Sequence, residues 1–160
     1  MASKKYLYQL LVVLVFGSLA YFTRAYDLIT PLGSVFVLDL RDFFVAIGAA
    51  IGGPVAGLLI GIMAGVPAAI PAIDVASFSV AGICVGYFSD YFFRKKINVA
   101  YSAIFMLAGY GVAIGMVAYY GLWQASPGLI LRAAICTPIN IFILNNLFNA
   151  FPDILPVMKG

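Results

Sequence analysis

The stretch "LDLRDFFVAIGAAIGGPVAGLLIGIMAGV", Leu38 to Val66, places Asp39, Arg41 and Asp42 at the head of a run that carries no charge from Phe43 to Val66. In lipid no water replaces a lost backbone hydrogen bond, so an apolar run of this length is stable as helix, which satisfies its own N–H and C=O groups. The rest of the chain has the same character. Hydrophobic residues make up 64% of its 160 positions, charged residues 9%, and the mean hydropathy is +1.09, whereas a soluble domain carries about 25% charged residues. The composition describes an integral membrane protein, all-α and one domain over residues 1–160. Spans of about 20 residues joined by short connections use up the chain. No room remains for a soluble catalytic domain.

The sequence predicts a compact bundle of six transmembrane helices, over 6–23, 35–52, 54–66, 75–93, 99–120 and 129–148. Gly52-Gly53-Pro54 reads as a tight turn between the second and third, because proline suits the first position of a new helix. "PAAIPAID", Pro67 to Asp74, carries two prolines and is not expected to be regular helix throughout. Met-Ala-Ser-Lys-Lys before the first apolar run resembles the head of a signal peptide, but that run is long enough to span and no A-x-A pattern follows. It is kept as helix 1. Positively charged residues collect in short cytoplasmic loops. With the N-terminus inside, Lys4, Lys5, Arg94, Lys95, Lys96 and Lys159 fall on the cytoplasmic side, and Arg24, Arg41 and Arg132 on the outer side. Both termini are thus expected in the cytoplasm, in a multi-pass protein of the plasma membrane.

The chain has no histidine and no glutamate, and its two cysteines, Cys84 and Cys136, stand apart in apolar runs. The commonest metal ligand and much of the acid/base repertoire are missing, so no metal site, no cofactor and no enzymatic activity are expected. The net charge of +3 follows from membrane topology and needs no nucleic acid.

The candidate chemistry lies near the outer surface. Asp39 and Asp42, three apart, share a helix face while Arg41 points elsewhere, and carboxylates suit the positive end of a helix. These three read as a helix start that also rims a pocket. Arg132, three residues into helix 6, either snorkels outward or turns inward to pair with Asp74 or with an anionic group of a ligand. Arg24 and Arg132 point to a ligand with an anionic or acceptor group. Asn140 has Thr137 one turn above it, and Trp123 beside Gln124 is suited to stack on a flat ring and bond its edge. Small residues recur four apart at Ala46/Ala50, Gly48/Gly52, Gly53/Gly57/Gly61/Gly65, Gly82/Gly86 and Gly111/Gly115. Such faces let helix backbones approach closely; the ladder of helix 3 also suits docking of a second subunit.

An acidic start to helix 2, the Gly-Pro turn, the glycine-laddered helix 3, and "SFSVAGICVGYFSDYFFRKK" ending in basic residues resemble the substrate-binding S component of energy-coupling factor (ECF) vitamin transporters. The resemblance covers about residues 35–96. It implies a six-helix protein that captures a vitamin or similar nutrient from outside, with a membrane coupling subunit and two ATPase subunits driving release. It places the pocket between the outer halves of helices 4 to 6 and the outer loops. On this chain that points to Tyr26, Asp74, Ser77, Tyr120, Trp123, Gln124, Arg132 and Asn140. The family's Ala-x-x-x-Ala docking pattern is missing from helix 1, which offers only Gly17, Ser18 and Ala20. Docking then falls to Ala46 and Ala50, or to Gly57, Gly61 and Gly65, or the protein works alone. "DLR" followed by "GGP" is also similar to the membrane sensor region of LytS-type histidine kinases, which implies a ligand-sensing domain.

Overall fold

In the computed structural model, residues 2–26, 29–32 and 36–155 are described, with side chains from Tyr6 to Tyr26 and from Asp39 to Leu155. Lys4, Lys5, Asp27 and Lys159 lie outside the described side chains. The elements in chain order are α1 (Ala2–Ala25), β1 (Ile29–Leu32), β2 (Phe36–Asp39), α2 (Arg41–Gly65), α3 (Pro71–Arg94), α4 (Met106–Tyr119) and α5 (Ser126–Ala150). Short 3-10 helices, Val99–Phe105 and Trp123–Ala125, lead into α4 and α5. By length and composition five helical segments are able to cross a membrane: Tyr6–Ala25, Arg41–Gly65, Pro71–Arg94, Val99–Tyr119 and Trp123–Ala150.

The difference from the six expected spans lies in α2, which is folded back on itself. Arg41 Nη1 donates to the Ala64 carbonyl at 2.9 Å, although a straight helix would hold those residues about 35 Å apart. The reversal is at Gly53, with φ 83 and ψ −175, a conformation that only glycine adopts without strain. Pro54 then opens the second arm, where its missing N–H costs no hydrogen bond. The expected turn at Gly52-Gly53-Pro54 is therefore present. Each arm, however, rises only about 18 Å, short of the roughly 30 Å of hydrocarbon in a bilayer. The predicted helices 35–52 and 54–66 are two arms of one hairpin.

Three further boundaries depart from expectation. Residues 36–39 are not helix: β1 and β2 form a short antiparallel ribbon with Ile29 opposite Asp39 beside an otherwise helical bundle. Pro71 occupies the first turn of α3, which therefore starts ahead of Val75. The predicted fifth helix is 3-10 over its first turns, with Asn98 Oδ1 accepting from the Ala100 N–H at 2.9 Å at its start.

The glycine ladder explains how the hairpin sits in the bundle. A Cβ on Gly57 would strike the Gly82 carbonyl, one on Gly61 the Phe78 carbonyl, one on Gly65 the Val75 backbone, and one on Gly86 the backbone of Gly53. The second arm and α3 thus run antiparallel in direct backbone contact, which glycine alone permits. On the other side, a Cβ on Gly48 would meet Phe16 at 2.9 Å and one on Gly52 would meet Val12 at 3.1 Å, so α1 closes over the first arm. Gln9 Nε2 donates to the Gly52 carbonyl at 3.0 Å and Ser89 Oγ to the Ala50 carbonyl at 2.6 Å, fixing the tip. Apolar side chains such as Leu7, Leu14, Leu107 and Phe142 are left on the outside, a surface compatible with lipid contact.

This arrangement corrects the expected docking faces. Ala46 and Ala50 are 0% exposed and Gly57, Gly61 and Gly65 are buried, because the chain's own helices occupy those surfaces. We expect Gly57→Val or Gly82→Val to cost more than about 4 kcal/mol, the range of severe overpacking. Gly111→Ala, where nothing lies within 4 Å of the added methyl, should stay within about 1 kcal/mol of the parent. Thermal unfolding in detergent distinguishes the two.

Candidate functional site

The ends of the hairpin, the first turns of α3 and α5 and the middle of α4 meet in a chain of ion pairs. Asp39, at the end of β2, accepts from the Arg41 backbone N–H at 3.0 Å, so the turn into α2 is shaped by its carboxylate. Arg41 Nε donates to Asp39 Oδ1 and Oδ2 at 3.0 and 2.9 Å, and Nη2 to Oδ2 at 2.6 Å. Its Nη1 is shared between the Ala64 carbonyl and Asp74 Oδ2, at 2.9 and 2.8 Å. Arg132 grips Asp42 with two bonds of 2.7 Å, from Nε and Nη2, and its Nη2 also lies 3.1 Å from Asp39 Oδ2. The Tyr110 hydroxyl donates to Asp42 Oδ2 at 2.8 Å. The Phe78 ring lies beneath both guanidinium groups, 4.8 Å from Arg41 and 5.8 Å from Arg132.

Asp39 and Asp42 are 1% exposed and Arg41 is 4% exposed. Charges buried to this degree are tolerated only when paired and hydrogen-bonded, and this network supplies both. Burial works against the charge of Asp39, but the Arg132 guanidinium, together with the hydrogen bonds and charge of Arg41, outweighs it and holds the carboxyl below its ordinary value. A carboxyl depressed in the folded state adds stability that is complete above its unfolded value, about 3.9, and is lost as pH falls through the folded value.

Against this network lies a cavity of about 370 Å³ between α3, α4 and α5. Asp42, Asp74, Ser77, Tyr110 and Arg132 give it a polar wall; Ile73, Ala81, Met106, Ala113, Val117 and Leu129 supply apolar ones. Arg24, from the last turn of α1, also reaches it. The volume lies at the lower end of the range for small-molecule sites.

The expected site residues divide. Asp42, Asp74, Ser77 and Arg132 converge on the cavity. Asp39 and Arg41 stand behind the wall as its ion pairs, and Arg41 does not point elsewhere but joins Asp39 to Asp74. Arg132 turns inward, to Asp42 and Asp39 rather than to Asp74, so most of its charge is already matched within the protein. Tyr26, Tyr120 and Trp123 are 71%, 52% and 65% exposed, and with Gln124 they lie outside the lining. Their helix ends carry them outward, and the connection faces the cavity with Leu122 and Ala125 instead. Asn140 is 1% exposed and lies in the helix interior, away from the lining.

Sequence reasoning missed Tyr110 and Phe78. A signal was present for Tyr110: it sits in "LAGYGVAIG", mid-span among small residues, rather than at a helix end where tyrosines line the membrane interface. Phe78 gave no signal, since one phenylalanine among many is marked only by the cations above it. Among the described residues no group of histidine, cysteine or acidic side chains is placed to hold a metal ion. Comparison with protein-family models, with curated proteins and with solved structures finds no match.

Removing one partner of a buried pair leaves the other uncompensated, at about 3–5 kcal/mol. Arg132→Met and Asp42→Leu are each expected to lower the unfolding temperature sharply. The double variant should recover most of the loss, because an apolar pair of similar volume is tolerated in such a position. Asp39→Asn should be less stable at neutral pH and lose less stability on acidification, a difference that unfolding curves over a pH series would reveal.

Proposed function

We propose that this chain is a membrane-embedded substrate-binding subunit of the ECF S-component type, which captures a small nutrient in the cavity between α3, α4 and α5. The observation that carries this reading is the cavity itself. It combines apolar walls with a few fixed polar groups, the composition of a small-molecule site, and intramembrane ionisable residues ordinarily mark substrate pathways. The positive run Arg94-Lys95-Lys96 ends α3 far along the helix from Asp74, and under the positive-inside rule it belongs in the cytoplasm. The cavity then opens outward. Both termini are cytoplasmic in this arrangement, with the hairpin entering from the outer side.

In this reading release to the cytoplasm falls to partners: a membrane coupling subunit and two ATPases. The apolar bundle surface left open to lipid is where such a subunit would dock, since the glycine ladder is occupied within the chain. The protein's part is capture, not chemistry.

The test is equilibrium binding of a nutrient panel to the purified full chain. Ala113 lines the cavity, is 5% exposed and takes no part in the ion pairs, so Ala113→Phe fills cavity space while leaving every charged group in the chain. It should weaken binding by about tenfold or more while the unfolding temperature holds. Binding unchanged by this variant would refute the cavity as the site. Co-purification with an ATPase-bearing complex supports transport; a stable homodimer that never captures one would instead favour a LytS-type sensor.

A further inference from the structure

The polar wall can be read donor by donor. Arg41 spends Nε, Nη1 and Nη2 on Asp39, Asp74 and the Ala64 carbonyl. Tyr110 gives its hydroxyl proton to Asp42, and Ser77 gives its own to the Asp74 carbonyl at 3.1 Å. Asp42 accepts on both oxygens, from Arg132 and Tyr110. Two groups remain. Arg132 bonds through Nε and Nη2, so Nη1 carries two N–H donors with no partner among the described residues. Asp74 accepts on Oδ2 from Arg41, so Oδ1 has no partner among them. Both residues line the cavity, and both side chains retain exposure, 15% for Arg132 and 28% for Asp74.

The wall therefore offers one charged donor and one charged acceptor on a shared network. Asp39, Asp42 and Asp74 against Arg41 and Arg132 give three negative charges and two positive, a net of −1. Arg24, which also reaches the cavity and is itself engaged, returns the balance to zero. A purely anionic ligand would meet the unpaired carboxylate oxygen, and a purely cationic one the unpaired guanidinium edge. A molecule with both charges satisfies both groups, and charge-assisted hydrogen bonds of this kind are the strong ones.

We propose that the cavity takes a small zwitterion with an apolar body, its ammonium on Asp74 Oδ1 and its carboxylate on Arg132 Nη1. The apolar part lies along Ile73, Met106, Ala113, Val117 and Leu129, which are suited to an aliphatic or aromatic side chain and not to a sugar or a phosphate. This names a ligand class for the site proposed above and rests on that proposal.

Three probes of nearly equal size separate the two charges: L-phenylalanine carries both, phenethylamine only the ammonium, and 3-phenylpropionate only the carboxylate. Binding to the purified full chain is measured by calorimetry and by ligand-induced shift of the unfolding temperature. L-Phenylalanine should bind about tenfold or more tighter than either analogue. Asp74→Asn keeps the shape and removes the negative charge. It should weaken L-phenylalanine and phenethylamine by about tenfold and should not weaken 3-phenylpropionate, which no longer meets a carboxylate charge. Arg132→Lys keeps the positive charge but loses the fork, and should weaken the two carboxylates selectively.

An analogue with one charge binding as tightly as L-phenylalanine overturns the inference. So does a failure of all three probes to bind, or an Asp74→Asn variant whose affinities match the parent. If one of those ligands, or another nutrient, still loses affinity in Ala113→Phe, the cavity stands as the site and only the zwitterion class falls. Loss of sensitivity to Ala113→Phe removes the cavity reading itself.

Discussion

The fold depends on pairing five charges, three of them buried, within one contiguous network inside an apolar bundle. Arg41 and Arg132 are the two cations, and each spans more than one element. Arg41 ties β2 to the end of the hairpin and to α3, while Arg132 ties α5 to the start of α2 and to β2. Where lipid supplies no hydrophobic force between helices, such links decide which helix faces which. These ion pairs and the Tyr110 hydrogen bond form together only when β2, the hairpin and α3, α4 and α5 are all in place, so the network acts as a register mark for the assembly. The guanidinium fork suits this role in a way the lysine ammonium does not, because it bonds several acceptors in fixed directions.

The hairpin is what brings those charges together. Two short arms reversed at Gly53 return the chain to the level at which it began, so Arg41 and Ala64 meet and the head and tail of the element share one guanidinium. The glycines of the second arm let it lie directly on the α3 backbone. Close approach there carries Asp74 to Arg41 and Phe78 to the face of both guanidinium groups. Packing and electrostatics are thus two consequences of one sequence pattern, small residues on an arm that begins beside three charges. The cavity forms on the side where α4 and α5 do not reach as close, and it inherits one wall from the network.

Much of the architecture was legible in residue order because the constraint is strong. Apolar runs long enough to span declare themselves, and Gly52-Gly53-Pro54 declares a reversal through the one residue type that tolerates positive φ followed by the one that starts a helix well. Arm length was read less well: residues 36–39 were expected in helix, but they pair as a strand with Ile29–Leu32. That preference depends on a partner segment, and a local reading does not see it. Of the expected site residues, Asp74, Ser77 and Arg132 line the cavity, whereas Trp123 and Tyr120 are exposed and lie outside its lining.

Sequence alone determined that the chain forms helices long and apolar enough to cross a membrane, their order, and the reversal at Gly53, since each follows from local composition or backbone preference. Only the tertiary structure decided which acid pairs with which base. Asp39, Arg41 and Asp42 are neighbours along the chain, yet they are joined through Asp74, Tyr110 and Arg132, which lie far away in sequence. Ion pairing acts over a few ångströms and is indifferent to sequence separation, so it is settled by the rotation of each helix about its axis. That rotation is set by backbone contact at Gly57, Gly61 and Gly82, and a one-dimensional pattern of charges records neither the angle nor the contact.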